Sequence, residues 1–194
     1  MVNKEIEING KLLKISTGQV AKQSAGSVIV SYGETTIIAA VNAAREMRED
    51  IDFFPLQVEY RERHYAGGKI PGGFFKREAR PSEREILTSR LTDRPIRPLF
   101  PKSFKFETQV IITVLTTDGD NPADVLAGVG ASAALMVSDI PWNGPIATVR
   151  LAKVDESFIV NPTREQMEES SMELVVSGNK DTIVMVEGEA DLIP

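Results

Sequence analysis

The stretch Val110–Val137, VIITVLTTDGDNPADVLAGVGASAALMV, decides how this chain folds. Val110 to Thr117 is β-branched at every position but Leu115, and a run of that length and composition is a buried strand. Asp118-Gly119-Asp120-Asn121-Pro122 then turns the chain and opens a helix, with Asn121 expected as its cap and Pro122 as its first residue. The helix runs from Ala123 to Val137. Its small residues at Ala127, Gly128, Gly130, Ala131, Ala133 and Ala134 permit close approach to a sheet and predict the central helix of the fold.

Working outward, Ile6 and Ile8 alternate with Glu5 and Glu7, and Asn9-Gly10 follows before Leu12, Leu13 and Ile15, a strong hairpin signal. A second hairpin joins Ser27–Tyr32 to Thr35–Ala43 through Gly33-Glu34, and Phe53–Tyr60 reads as a further strand. Gly67, Gly68, Pro71, Gly72 and Gly73 exclude regular structure and demand a loop. Ser82, with Glu85 at the capping-box position, starts a helix expected to end near Thr92, ahead of Pro95 and Pro98. Beyond Pro141, the segments Ala147–Val154, Ser157–Val160, Met172–Val176 and Thr182–Val186 read as strands, and Arg164–Glu169 as a short helical turn. The sum is an α+β chain with mixed or antiparallel sheets around two main helices, read as one domain over residues 1–194. The closing Asp191-Leu192-Ile193-Pro194 has neither cap nor polar tail, which suggests a piece of something longer.

Apolar residues make up 42% of the 194 residues and charged residues 26%, the balance of a globular protein. The absence of cysteine excludes thiolate nucleophiles, disulfides and cysteine metal sites and suits a reducing cytosol. No apolar leader or membrane-length segment occurs, so a cytoplasmic chain with no membrane partner is expected. The net charge of -6 hides an asymmetry: residues 61–105 hold 12 Lys and Arg against 5 Asp and Glu, leaving 10 against 23 elsewhere. An acidic body therefore carries a basic stretch, which is suited either to a polyanion or to salt bridges with that body.

Within the stretch, Gly72-Gly73-Phe74-Phe75-Lys76-Arg77 sets two aromatics and two cations directly after glycines. Single-stranded nucleic acid requires those parts, π-faces for unstacked bases and cations for phosphates. The competing reading anchors both rings in the core, although adjacent side chains do not easily both point inward. Arg80, Arg84, Arg90, Arg94 and Arg97 follow, and Arg90, Arg94 and Arg97 share one face if the helix persists through Pro95. Such a face can track an RNA backbone through guanidinium forks or form a structural network with Glu83, Glu85 and Asp93. His64, the only histidine, has no nearby nucleophile in sequence and reads as an ordinary polar residue. Asp118, Asp120 and Asn121 resemble the start of a calcium loop, but the twelfth position is Val129, so a helix-start cluster is the better reading.

The string Gly67–Pro101, GGKIPGGFFKREARPSEREILTSRLTDRPIRPLFP, resembles the polynucleotide phosphorylases, as do GSVIVSYGETTIIAAV, TTDGDNPADVLAG and VMVEGEA. The resemblance implies the first RNase PH-like core of a homotrimeric, magnesium-dependent 3′-to-5′ exoribonuclease of mRNA degradation, which uses inorganic phosphate to release nucleoside diphosphates. A second core and RNA-binding domains follow in that family, and degradosome-type proteins are further partners. The resemblance gives Phe74, Phe75, Lys76 and Arg77 to an RNA-gripping loop, with Lys76 in place of the usual arginine; Arg80, Arg90, Arg94 and Arg97 stay candidates along the same path on their recurrence alone. The family's phosphate turn falls on Asp120-Asn121-Pro122-Ala123 and its magnesium aspartates on Glu165 and Ser171. Proline removes an amide donor and serine removes a carboxylate, so no catalytic or metal residue is expected in this chain. The alternative is a stand-alone single-stranded RNA-binding or ring-scaffold module.

Overall fold

A computed structural model describes residues 1–48 and 51–191. The final Leu192-Ile193-Pro194 of the uncapped ending lies outside the described residues. Asn9 and Gly10 both adopt positive φ, 51° and 72°, as a tight turn requires, and join β1 (Val2–Ile8) to β2 (Lys11–Thr17). Gly33, at φ 59°, turns β3 (Gly26–Tyr32) into β4 (Thr35–Ala43). These strands join β5 (Leu56–Glu62) and β6 (Thr108–Thr116) in a six-stranded sheet of order β1-β2-β3-β4-β6-β5. Every pairing in it is antiparallel except β5 with β6, which run parallel.

The strand expected at Phe53 begins at Leu56 instead. Phe54 turns into an aromatic cluster, its ring centroid 4.6 Å from that of Phe100, and Pro55 has no N–H to offer a ladder. Helix α1 (Glu83–Ile96) opens on the expected capping box. It does not stop at Thr92: Pro95 sits in the last turn, where it removes one hydrogen bond, and Ile96 and Pro95 are buried against the body. A 3-10 turn, Arg97–Leu99, extends it, and Trp142 Nε1 donates to the Ile96 carbonyl at 3.0 Å.

Helix α2 (Ala123–Met136) is apolar all round because it lies between two sheets. On one side it meets Val30, Ile37 and Ala39 of the large sheet. On the other is a four-stranded antiparallel sheet of order β10-β9-β7-β8, built from β7 (Ala147–Val154), β8 (Ser157–Val160), β9 (Met172–Gly178) and β10 (Ile183–Ala190). A Cβ on Gly128 would stand 2.3 Å from Thr148 Oγ1, and one on Gly130 would stand 2.9 Å from Ile37 Cδ1. The two glycines thus set how closely the helix approaches each sheet. The short α3 (Arg164–Glu168) carries its own capping box from Thr163 and Gln166. Val28, Val30, Ile37, Val41, Val110, Ile112 and Leu135 are fully buried in the main core, each contributing roughly 1.5–3 kcal/mol by leaving water.

Candidate RNA-gripping loop and the adjoining cleft

The loop after β5 leaves the sheet through a 3-10 turn, His64–Gly67, whose Ala66 carbonyl accepts Thr117 N–H at 3.0 Å and so fixes the turn to the end of β6. From there the chain projects. Phe74 is 93% and Phe75 74% exposed, and their rings meet edge to face with centroids 5.3 Å apart. Both rings therefore stand in water, against the core-anchor alternative. Arg77 lies with its guanidinium carbon 5.9 Å from the Phe75 ring centre. Among the described residues neither Lys76 nor Arg77 has an acidic partner within salt-bridge distance, and the same holds for Arg80 and Arg90. Gly73 and Lys76 take positive φ, 75° and 50°, so the backbone bends on either side of the two rings.

The remaining candidate arginines part company with this group. Arg97 gives Nη2 to Asp93 Oδ1 at 2.7 Å and Nε to Oδ2 at 2.9 Å. It also donates to the carbonyls of Phe54 and Leu56 at 3.1 and 3.0 Å. All three of its guanidinium nitrogens donate within the protein, so Arg97 reaches an RNA-facing stripe only by giving up these contacts. Arg94 pairs with Glu187 of β10 and stays exposed. Of the acids expected in an arginine network, Asp93 serves in one, whereas Glu85 accepts the amides of Ser82 and Glu62 at 2.6 and 2.9 Å and locks the start of α1 to the end of β5.

Beside the loop, at the carboxyl ends of β5 and β6 and the start of α2, lies a cleft of about 840 Å³. Its rim includes His64, Lys69, Asp118, Asn121, Arg164 and Glu168, so it coincides with the implied phosphate turn. Asn121 does not cap α2, which begins at Ala123 with Pro122 before it. Instead Asn121 is drawn back into the turn: its amide and side-chain nitrogens donate to Asp118 at 2.8 and 2.6 Å, and Lys11 Nζ donates to its Oδ1 at 2.7 Å. Asp118 also accepts from Thr35 Oγ1 at 3.0 Å and from the amides of Asp120 and Glu34. Burial pushes its pKa up, but the combined hydrogen bonds from Asn121, Asp120 and Thr35 prevail and hold it at about 2.

On the cleft floor, Arg150 of β7 donates to Asp124 Oδ2 at 2.7 Å and pairs with Glu173 of β9. Arg84 stands 3.6 Å from Glu62 and 3.9 Å from Asp124. The Tyr60 hydroxyl donates to Glu62 at 2.7 Å; burial first, and then that carboxylate, drive its pKa far up, so it remains a phenol. On this floor the acids and bases thus neutralise one another. The partly buried Asp124–Arg150–Glu173 group was not anticipated, although one arginine among the apolar residues of β7 and an aspartate in the apolar α2 were its sequence signals. At the implied metal pair, the Ser171 hydroxyl donates to the Lys153 carbonyl at 3.3 Å and cannot supply a charged oxygen, so these residues do not fit a hard cation. Among the described residues no three His, Asp or Glu side chains converge as metal ligands, and no helix is long and apolar enough to cross a membrane.

This chain belongs to the 3′ exoribonuclease family: the family's domain 1 matches residues 9–141 and its domain 2 matches residues 144–194. Within the family its similarity is to the polyribonucleotide nucleotidyltransferases. It is 57% identical to that of Thermomicrobium roseum over 98% of the chain, and 54% identical to that of Thermus thermophilus over 96%. Those alignments cover 24% and 26% of the relatives, so the chain spans about a quarter of their length. In three dimensions it resembles a chain of an archaeal exosome core, with a TM-score of 0.66 at 21% identity, over 98% of this chain and 78% of that one. The fold is therefore RNase PH-like, as expected from the sequence.

Proposed function

We propose that this chain is the RNA-guiding core of a phosphorolytic 3′-to-5′ exoribonuclease that releases nucleoside diphosphates from single-stranded RNA, and that it does not itself cleave. The observation that carries the reading is the pair of exposed rings at Phe74 and Phe75 beside the unpaired Lys76 and Arg77. Stacking on such rings contributes about 1–3 kcal/mol per base without regard to sequence, which suits an enzyme that must pass any transcript. Arg80 and Arg90 extend the cationic path; Arg94 joins it only by releasing Glu187.

The absence of cleavage is inferred from the cleft. Phosphorolysis needs an anion held in line and a metal that neutralises developing charge. Here the helix start presents the ionised Asp118 to any phosphate, Pro122 offers no amide, and Ser171 stands where a carboxylate is required. In this reading phosphate and Mg²⁺ are handled elsewhere in the parent enzyme, a cytoplasmic homotrimer that meets degradosome-type proteins.

The test is fluorescence anisotropy with a labelled oligo(A). Phe75→Ala and Arg77→Ala are each expected to weaken binding by about tenfold, the loss of one stacked base or one charge-assisted contact. Unchanged affinity in both variants defeats the grip. Release of nucleoside diphosphates by a protein of these residues alone, given phosphate and Mg²⁺, defeats the claim that this core does not cleave.

A further inference from the structure

The exposed loop needs a rigid stem, because rings and cations that wander pay in entropy whatever they gain in contact. Two contacts meet it where it returns to α1. Glu78, the residue after Arg77, reaches back across the loop: its Oε1 accepts the His64 amide at 3.1 Å and its Oε2 lies 3.0 Å from His64 Nδ1. One residue on, the Ala79 carbonyl accepts Arg61 Nη2 at 3.4 Å. Arg61 lies in β5 and His64 in the turn that Ala66 and Thr117 bind to β6, so both contacts lead straight into the sheet.

We propose that His64 is a positioning residue for RNA binding: with Glu78 it forms a latch that closes the base of the loop and fixes the directions of Phe74, Phe75 and Arg77. The proposal rests on the reading of that loop as the RNA grip. A carboxylate that receives both a ring N–H and a main-chain N–H of one residue has only a narrow range of orientations, so the pair fixes direction as well as distance. The His64 ring, followed by its backbone amide, lowers the Glu78 pKa, as such a bonded carboxylate requires. Arg63 and Lys69 are the neighbouring charges, and the Lys69 amide donates to the His64 carbonyl at 2.9 Å, tying the outgoing strand of the loop to the same residue. His64 thus holds the loop at both its departure and its return.

The experiment reads the latch in two ways on the full chain. Trypsin cuts after Lys76 and Arg77 only when the loop can enter its active site, so mass-resolved cleavage rates report mobility without RNA. His64→Ala and Glu78→Ala are each expected to speed cleavage there and weaken oligo(A) binding by about three- to tenfold, the worth of one ordinary solvent-exposed hydrogen bond. The double variant should be no worse than the poorer single one. His64→Asn, whose side-chain amide can stand where Nδ1 does, should restore both readings.

Wild-type cleavage rates in His64→Ala, or effects that multiply in the double variant, overturn the latch. Faster cleavage with unchanged affinity, while Phe75→Ala still loses RNA, overturns the positioning role. Unchanged affinity in both His64→Ala and Phe75→Ala overturns the grip itself, and the proposal with it.

Discussion

Arg97 stands one helical turn after Asp93 and holds both of its carboxylate oxygens, at 2.7 and 2.9 Å, while Nη1 and Nη2 also donate to the carbonyls of Phe54 and Leu56 at the start of β5. The interaction separates two arginines that look alike in sequence. Arg97→Ala should lower stability by about 1–3 kcal/mol, since two carbonyls and a carboxylate lose a donor, yet leave oligo(A) affinity within twofold. Urea unfolding alongside anisotropy checks both halves.

Arg77 should behave in the opposite way. Its removal breaks no salt bridge among the described residues, only the contact with the Phe75 ring, but subtracts one phosphate partner, so the slope of log K against log salt for single-stranded RNA should fall by about 0.7 in Arg77→Ala and stay unchanged in Arg97→Ala. A salt titration from low to moderate ionic strength measures it.

Asp118 supplies the acid limb of stability. Its folded pKa, about 2, lies below the ordinary 3.8, so its contribution is present above about pH 4 and is lost as pH falls through 2. Discounted for partial exposure, this is about 1–2 kcal/mol. Asp118→Asn should lose that amount at neutral pH and show a flatter stability curve between pH 4 and 2, as followed by denaturant midpoints.

Arg150 lies between two carboxylates with little access to water. Arg150→Met leaves Glu173 unpaired and Asp124 with only the more distant Arg84, and should cost about 3 kcal/mol, while Arg150→Met with Asp124→Asn and Glu173→Gln should recover most of it. Recovery in the triple variant distinguishes stranded charge from lost packing.

Gly128→Ala places a methyl 2.3 Å from Thr148 Oγ1, whose hydroxyl already shares a 2.9 Å bond with Ser177. The clash outweighs the roughly 1 kcal/mol that alanine gains in a helix, so a net loss of about 1–2 kcal/mol is expected. Gly72→Ala, with nothing within 4 Å of the new methyl, should be neutral or slightly stabilising. Thermal unfolding of the pair gives the contrast.

What the sequence made legible was whatever is decided locally. Asn9-Gly10, Gly33-Glu34 and the Ser82–Glu85 box each involve neighbours within a few positions, and each stands where it was expected. The exposure of Phe74 and Phe75 was partly legible, because adjacent rings after two glycines cannot easily share one interior. Long-range choices were not. That Pro95 remains helical depends on Ile96 and Trp142 holding the last turn from outside. That Asn121 bends back to Asp118 instead of capping α2 depends on Lys11, more than a hundred positions earlier. The pairing of His64 with Glu78 crosses an irregular segment in which no periodicity points from one to the other.

The parallel pairing of β5 with β6 has a further consequence. Two neighbours that run the same way cannot be joined by a tight turn; the chain must travel the length of the sheet and come back. In this molecule that obligatory detour begins at the rim where the loop leaves, so topology alone guarantees a long stretch of chain at this edge whatever residues fill it.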